Sequence, residues 1–368
     1  MRCSVPSPSQ SDPSTGQRLA QKTLDLCSIS SVTGDEKEIG DWLENWLQQF
    51  PSFEYERVGH SFAVRGPWRN RPKIALVGHT DTVPPHPGDP APKMTDTQVI
   101  GLGSSDMKGG LAIMMALIED LDPDEVPYDL AYVFYDAEEG PFSQSGLGPL
   151  LDSVQWLKEI DLGFCLEPSD NVVQVGCVGT LHAKIEFQGK SCHSARPWQG
   201  ENAIHKAGAF LETLHALDPN EVEVDGFVFH EVMSVTMAQG GRARNVIPNS
   251  FEISLNSRFA PGKSLERAQA DVLERVGDLA KVEFTDLSPS GRVVTDNSLF
   301  QRFLTQTNVE VTAKQAWTDV ARFTEADIDA VNFGPGLSSQ AHQAAEYIDI
   351  DLLTESYTLF LDFLQGNH

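Results

Sequence analysis

Two runs, KIALVGHTD at residues 73–81 and DLAYVFYDAEEG at residues 129–140, continue after one charged residue with consecutive apolar residues and end in polar, titratable ones. Apolar runs without polar alternation are typical of strands that are buried on both faces of a sheet. Between them lies LAIMMALIEDL at residues 111–121, which we interpret as a buried helix. A third run, LGFCLEPS at residues 162–169, follows. This order predicts an α/β domain whose sheet is flanked by helices.

A different pattern occupies about residues 177 to 290. The segment TLHAKIEFQG at residues 180–189 alternates with period two, and a predicted helix, two strands, a second helix and a last strand follow it. The order β-α-β-β-α-β is that of a ferredoxin-like unit. We therefore predict two domains, since single cores rarely exceed about 300 residues. One is formed by residues 1–176 and 291–368, and the other is inserted at residues 177–290.

The N-terminal part of the chain lacks the apolar core of a secretory signal. Residues 1–16 are rich in Ser and Pro, and we interpret them as a loose tail. Thr33 and Glu36 stand three positions apart before the amphipathic run IGDWLENWLQQF at residues 39–50. This spacing predicts a capping box at the start of a helix.

Charge and cysteine content restrict the classes of partner. Acidic residues outnumber basic ones 53 to 27, which gives a formal charge of -26. Such a surface repels nucleic acid and anionic membranes, so we expect neither as a partner. No apolar stretch reaches the roughly 18 residues that a membrane span needs. The five cysteines show no ligand spacing, which favours reduced thiols and a cytosolic location.

The segment GHTDTVP at residues 78–84 directly follows the first predicted strand. His79 and Asp81 are two residues apart, so in an extended chain both side chains point the same way. A metal-bound histidine needs such a partner, because a hydrogen bond to its second ring nitrogen fixes the tautomer. Taken alone, the segment is equally compatible with a strand-end turn that carries a surface histidine.

The segment GLGSSDMKGG at residues 101–110 looks at first like a dinucleotide-binding loop. The third glycine of that motif is replaced by Asp106, and a carboxylate there repels pyrophosphate at a helix N-terminus. A carboxylate in a glycine-rich turn is better suited to bridging two cations. A nucleotide-binding dehydrogenase is thereby disfavoured.

Further carboxylates and a histidine follow the later strands. Glu138 and Glu139 are adjacent after the second strand, Glu167 closes the third, and His342 precedes the last predicted helix. Two neighbouring carboxylates repel each other unless cations neutralise them. A set of nitrogen and oxygen ligands without thiolate suits Zn²⁺ or a similar ion in an open, catalytic site.

Together these segments resemble the two-zinc family that contains aminoacylases, glutamate carboxypeptidases, acetylornithine deacetylase and succinyl-diaminopimelate desuccinylase. The resemblance rests on GHTDTVP, SSDMKGG, AEEG, LEPS and the late H-x-x-x-E at residues 342–346, in this order over nearly the whole chain after the tail. It implies a zinc-peptidase-like catalytic domain with a mixed sheet, and an inserted ferredoxin-like α+β domain that serves as lid and dimerisation domain. The implied partners are a small-molecule substrate and a second copy of the chain, forming a homodimer.

The resemblance also implies a ligand set for two zinc ions, with cobalt or manganese as alternatives. Asp106 is expected to bridge the ions. His79 and Glu167 are expected to complete one site, and Glu139 and His342 the other.

Other residues are expected to act around the ions. The resemblance assigns Asp81 to orient His79 and Glu138 to act as general base. It also implies a cis peptide bond between Asp106 and Met107.

In the inserted domain, the resemblance assigns His193, in GKSCHSARPWQGENAI, to stabilise the reacting oxyanion in the partner subunit's active site. GGRARNVIPN and LNSRFAPGKS match segments that supply an asparagine and an arginine for substrate binding, here Asn245 and Arg258.

Outside the inserted domain, WTDVARF and VNFGPG resemble a desuccinylase branch in which the arginine, here Arg322, binds a substrate carboxylate. Arg322 is also compatible with simple pairing to an acidic neighbour.

Two alternatives to this interpretation remain. A sister enzyme of the same family, such as an acetylornithine deacetylase, a carboxypeptidase or a dipeptidase, has the same ligands. A binding protein that keeps the fold without catalysis is marked by loss of the base or the bridging ligand, and Glu138 and Asp106 are both present.

Overall fold

The computed structural model describes residues 13–366, which fall into two compact units. The first is formed by the chain up to Val175, by Val294–Thr312 and by the segment from Arg322 onward. The second is formed by Gly176–Val293 and Ala313–Ala321. The short segment Ala313–Ala321 therefore belongs to the second unit, whereas the predicted boundaries placed it in the first. Among the described residues, no helix combines the length and apolar composition that a membrane crossing requires.

The elements follow the chain in this order. The helices are α1 (Pro13–Cys27), α2 (Lys37–Leu47), α3 (Gly109–Asp120), α4 (Leu147–Ser153), α5 (Ala203–His215), α6 (Leu265–Val276), α7 (Ser298–Thr307), α8 (Val320–Glu325) and α9 (Ile350–Gln365). The strands are β1 (Glu54–Val58), β2 (Ser61–Arg65), β3 (Lys73–His79), β4 (Lys93–Met94), β5 (Gln98–Ile100), β6 (Asp129–Tyr135), β7 (Leu162–Cys165), β8 (Val173–Val175), β9 (Gly179–Gln188), β10 (Asn220–Val224), β11 (Phe227–Gly240), β12 (Ser250–Phe259), β13 (Lys281–Ser288), β14 (Val311–Ala313), β15 (Ala330–Asn332) and β16 (Tyr347–Asp349).

The first unit is built on an eight-stranded mixed sheet in the order β1-β2-β6-β3-β7-β15-β8-β14. Strands β6, β3, β7 and β15 run parallel at its centre, and β1 and β2 are antiparallel at one edge. Every residue of β6 is buried, and so is α3 from Gly109 to Ile118, as the unalternating apolar runs predict. The predicted α/β fold with a mixed sheet flanked by helices is confirmed.

Two predictions for the N-terminal region were wrong in part. Residues 1–12 of the predicted tail lie outside the described residues, but from Pro13 onward the chain is helical. Leu19 and Leu26, seven residues apart on that helix, are fully buried, which is the pattern of an amphipathic helix packed on a core.

The predicted capping box is the second correction. Helix α2 begins at Lys37, and the side chain of its N-cap residue, Glu36, makes no capping hydrogen bond. Glu36 instead accepts a hydrogen bond from the backbone N–H of Gly34. The Thr33 hydroxyl is used elsewhere, because it donates to Asp81 in the candidate site.

The second unit has a five-stranded antiparallel sheet in the order β10-β11-β12-β9-β13. Without β10, the strands and the two helices α5 and α6 follow the predicted β-α-β-β-α-β order of a ferredoxin-like unit. Strand β10 was not predicted. It pairs with β11 through a tight turn at Asp225 and Gly226, both with positive φ. The Asp-Gly pair is a strong hairpin signal in a sequence.

Candidate metal centre

Three neighbouring parallel strands of the first unit bring the predicted ligands to one edge of the sheet. His79 is the last residue of β3, Glu138 and Glu139 follow β6, and Glu167 follows β7. The sheet order places β3 between β6 and β7. Carboxyl ends of parallel strands form the usual binding edge of an α/β sheet.

His79 is fully buried and lies between several carboxylates. Its Nε2 lies 3.2 Å from Oδ1 of Asp106 and 4.0 Å from Oε1 of Glu167. Its Nδ1 lies 3.1 Å from the backbone oxygen of Asp81 and 3.5 Å from Oδ1 of that residue. Burial lowers the pKa of His79, but the hydrogen bonds with Asp106 and Asp81 outweigh it and raise the pKa well above its ordinary value. The geometry agrees with Nε2 as a ligand and Nδ1 as the nitrogen that fixes the ring.

Asp106 lies between the two predicted histidines. Its Oδ1 faces His79, and its Oδ2 lies 3.8 Å from Nε2 of His342. Nε2 of His342 is 2.9 and 3.1 Å from the two carboxylate oxygens of Glu139. Ligand atoms of His79, Asp106 and Glu139 lie within 4.8 Å of one another. Asp106 therefore has one imidazole near each of its oxygens, and each imidazole has a further carboxylate beside it. This arrangement of nitrogen and oxygen ligands suits two cations that share one bridging carboxylate.

A glutamate holds the loop that carries Asp106, and the sequence motifs do not predict this role. The carboxylate of Glu346 accepts hydrogen bonds from the backbone N–H groups of Gly103, Ser105 and Asp106, at 2.9, 2.7 and 2.9 Å. The Asp106–Met107 peptide bond is cis, as the resemblance implies. Burial raises the pKa of Glu346 to about 7. Glu346 is the last residue of the H-x-x-x-E segment at residues 342–346, so the signal was present in the sequence.

Asp81 is buried and organises the other side of the centre. Its carboxylate accepts hydrogen bonds from the backbone N–H groups of Glu138 and Glu139, at 3.0 and 3.1 Å, and from the Thr33 hydroxyl at 2.9 Å. Burial opposes ionisation of Asp81, but its interactions with His79 and with these donors prevail and lower its pKa. Ala137 has a φ of 55°, so the backbone turns where the two adjacent glutamates leave β6.

Replacing Thr33 with valine is expected to destabilise the metal-free protein by about 2 kcal/mol, because a buried carboxylate loses a hydroxyl donor. Urea unfolding with the metal removed measures this change. Thr33→Ser keeps the hydroxyl and should stay closer to the wild type. Equal free energies of unfolding for the two variants would show that the hydrogen bond to Asp81 contributes nothing.

The predicted residues of the second unit lie in two places. His193 and Val246 form an isolated β-bridge, and the backbone N–H of Ser194 donates to the backbone oxygen of Asn245 at 2.9 Å. His193 and Asn245 are therefore on adjacent segments, and both are exposed. Arg258 lies on β12, where its Nε donates to Oδ1 of Asn256 at 3.0 Å.

Arg322 is buried in the first unit. Its guanidinium carbon lies 3.8 Å from the centre of the Phe142 ring, and Nη2 donates to the backbone oxygen of Phe142. Phe142 follows the turn that carries Glu138 and Glu139, so Arg322 is linked to the segment next to the centre.

Comparison with known proteins identifies the family. The model of peptidase family M20/M25/M40 matches residues 75–366. The chain belongs to this family. It is accordingly a metal-dependent amide hydrolase of the M20 family, and the side chains gathered around Asp106 are the candidate metal site.

Relatives support the assignment over nearly the whole chain. A Mycobacterium tuberculosis protein, named provisionally as a succinyl-diaminopimelate desuccinylase, is 34% identical over 347 residues, covering 94% of this chain and 97% of the relative. The succinyl-diaminopimelate desuccinylase of Corynebacterium glutamicum is 31% identical over 359 residues, covering 93% and 95%.

Solved structures show the same M20 fold. Aminopeptidase PepT from Bacillus cereus has a TM-score of 0.76 at 18% identity and covers 95% of this chain and 98% of its own. A Bacillus subtilis protein described as a dinuclear metal-binding peptidase of the M20 family has a TM-score of 0.67 at 18% identity, with 96% and 99% covered. At these identities the likeness is one of fold.

Zinc binding by this M20 chain is expected to release a proton from His342 at neutral pH. The hydrogen bond with Glu139 raises the pKa of His342 to about 9, so the ring is protonated before the metal binds. If His342 acts as the ligand that the sequence predicts, its nitrogen must be deprotonated. The apparent zinc affinity should therefore rise with pH and level off above about pH 9.

Calorimetric zinc titrations in buffers with different heats of ionisation count the released protons. His342→Ala should release fewer protons than the wild type. The same proton count for both would contradict the expectation.

Proposed function

We propose that this chain hydrolyses the amide bond of N-succinyl-L,L-diaminopimelate and releases succinate and L,L-diaminopimelate. The observation that carries the proposal is the position of Asp106 between His79 and His342, in a chain whose relatives of 34% and 31% identity bear the desuccinylase name.

We assign the ligands of two zinc ions, with cobalt or manganese as alternatives, from the contacts in the first unit. Asp106 would bridge the ions, His79 and Glu167 would hold one ion, and Glu139 and His342 would hold the other. The distances of 4.0 Å between His79 and Glu167 and of 2.9 Å between His342 and Glu139 support this division. When bound, the ions supply Lewis acidity and lower the pKa of water in the site.

Glu138 is the residue that we assign to proton transfer. Its backbone N–H donates to Asp81, which fixes the turn that carries it, and we assign its carboxylate to act on the attacking water. It takes a proton from this water and later gives a proton to the leaving amine nitrogen, so it serves as base and then as acid. Asp81 also contacts the ring of His79, so the same residue fixes the positions of the nitrogen ligand and of the general base.

Residues of the second unit, together with Arg322 of the first, supply the remaining roles. We assign His193 of the partner subunit to the developing oxyanion, Asn245 to substrate binding, and Arg258 and Arg322 to the substrate carboxylates. An arginine is suited to this task because its planar fork pairs with a carboxylate through two hydrogen bonds.

We propose a homodimer that forms through the second unit. Strand β10 pairs only with Phe227–Glu231 of β11, while the rest of β11, in the described part of the chain, pairs on the β12 side alone. An open strand edge is a template for pairing with another chain. Met237 on this edge is 68% exposed, and Trp198 in the same unit is 77% exposed.

We also propose a cytosolic location. Cys27 and Cys177 are buried free thiols, as expected for a protein that does not rely on disulfides.

The substrate is tested by comparing kcat/KM for N-succinyl-L,L-diaminopimelate, N-acetylornithine and simple dipeptides on the purified, zinc-loaded protein. We expect clear preference for the succinyl compound. Preference for acetylornithine or for a dipeptide would assign the chain to a sister activity of the same family. Turnover of none of the three would favour a binding protein on this fold.

A further inference from the structure

A proline-rich loop follows the motif that carries His79 and has no role in the function proposed above. It is PPHPGDPAP, residues 84–92. Inside it, the backbone N–H of His86 donates to Oδ2 of Asp89 at 2.7 Å, and the N–H of Asp89 donates to the backbone oxygen of His86 at 3.1 Å. Gly88 between them has a φ of 92°. Residues 86–89 therefore form a turn that closes on itself through Asp89.

Two hydrogen bonds join this turn to the segment of His342. Nε2 of His86 donates to the backbone oxygen of His342 at 3.0 Å, and the backbone N–H of Ala345 donates to Oδ1 of Asp89 at 2.9 Å. We call these two contacts the latch. They connect parts of the chain that are 256 positions apart.

The segment that the latch reaches has an unfavourable backbone. His342 has a φ of 61° and Ala345 a φ of 55°, in the left-handed region that non-glycine residues seldom adopt. The His342 side chain is 55% exposed, so packing around the ring does little to fix its direction. The backbone conformation at His342 determines where its Cβ points, and the latch bonds lie at the two left-handed residues of this segment.

We propose that His86 and Asp89 are positioning residues that hold His342 in the orientation of a metal ligand. The inference rests on the proposed role of His342 in binding one of the two ions. The inference gives the proline-rich loop a function. The turn at residues 86–89 is already closed by its own hydrogen bonds, so it loses little conformational freedom when it binds the segment of His342. Neither side chain is required to touch the metal or the substrate.

The test is a calorimetric titration of the metal-stripped full-length protein with Zn²⁺. In Asp89→Ala and His86→Ala, we expect the affinity for one ion to fall about tenfold or more, as for other residues that orient a ligand, and the affinity for the other ion to be unchanged. His86→Gln places an amide N–H near the position of Nε2 and should restore most of the affinity. Asp96→Ala removes an exposed carboxylate nearby in sequence and serves as the matched control.

His342→Ala distinguishes failure of the latch from failure of the ligand assignment. If His342→Ala loses one ion while Asp89→Ala and His86→Ala bind both ions as the wild type does, the latch is overturned and the proposed function stands. If His342→Ala itself binds both ions with unchanged affinity, the ligand assignment is overturned and the latch with it. Should Asp89→Ala fail to fold, the His86→Ala and His86→Gln pair decides alone.

Discussion

Replacing Glu138 with glutamine is expected to lower kcat by about 1,000-fold, within the range that general acid–base catalysis contributes. The amide keeps the size of the side chain and leaves the backbone N–H free to donate to Asp81, so the turn should persist. It cannot take a proton from water at neutral pH. Steady-state kinetics on the succinyl substrate, combined with zinc titration of the same preparation, measures both properties.

Zinc binding separates the role of a base from that of a ligand. Glu138→Gln should bind both ions with wild-type affinity. Glu125→Gln changes an exposed glutamate of the same unit and serves as the control, with wild-type kinetics expected. Wild-type turnover in Glu138→Gln would refute Glu138 as the base, and loss of an ion together with activity would indicate that it is a ligand.

Replacing Asp106 with asparagine is expected to have the largest effect on metal binding. The two oxygens of Asp106 face different histidines, so a single substitution removes negative charge from both proposed ion sites. We expect the affinity for each ion to fall by more than about 100-fold, because a direct ligand should matter more than the residues that orient one. Turnover should be lost as a consequence.

Comparing Asp106→Asn with His342→Ala tests whether Asp106 bridges the two ions. That variant should lose only one ion, and Asp96→Asn, at an exposed position, should lose neither. Loss of only one ion in Asp106→Asn, with the other bound normally, would place Asp106 in one site and refute the bridge.

The sequence predicts the residues at the metal centre better than the residues that hold them in place through hydrogen bonds. His79, Glu138 and Glu167 follow apolar strands, and parallel strands bring their carboxyl ends together, so local patterns indicate where these side chains meet. Thr33 and Glu346 act on groups 48 and 240 or more positions away through hydrogen bonds that no local pattern encodes. The sequence pattern around Thr33 therefore predicts a helix cap, and the pattern around Glu346 predicts no role for that residue.

The fold shows the same difference between local and long-range information. The buried helix α3 and the strands β3 and β6 are evident from uninterrupted apolar composition. The sequence does not predict helix α1, because the Ser- and Pro-rich composition of residues 1–16 indicates a loose tail that includes the first residues of this helix. The assignment of Ala313–Ala321 to the second unit depends on tertiary packing, which a chain-order argument does not contain.

The most direct test of the account is an anomalous difference map at the zinc edge from crystals of the zinc-loaded chain. We expect two peaks on either side of the Asp106 carboxylate, one beside His79 and Glu167 and the other beside Glu139 and His342. A map from zinc-binding protein that has no peak beside Asp106 would contradict it.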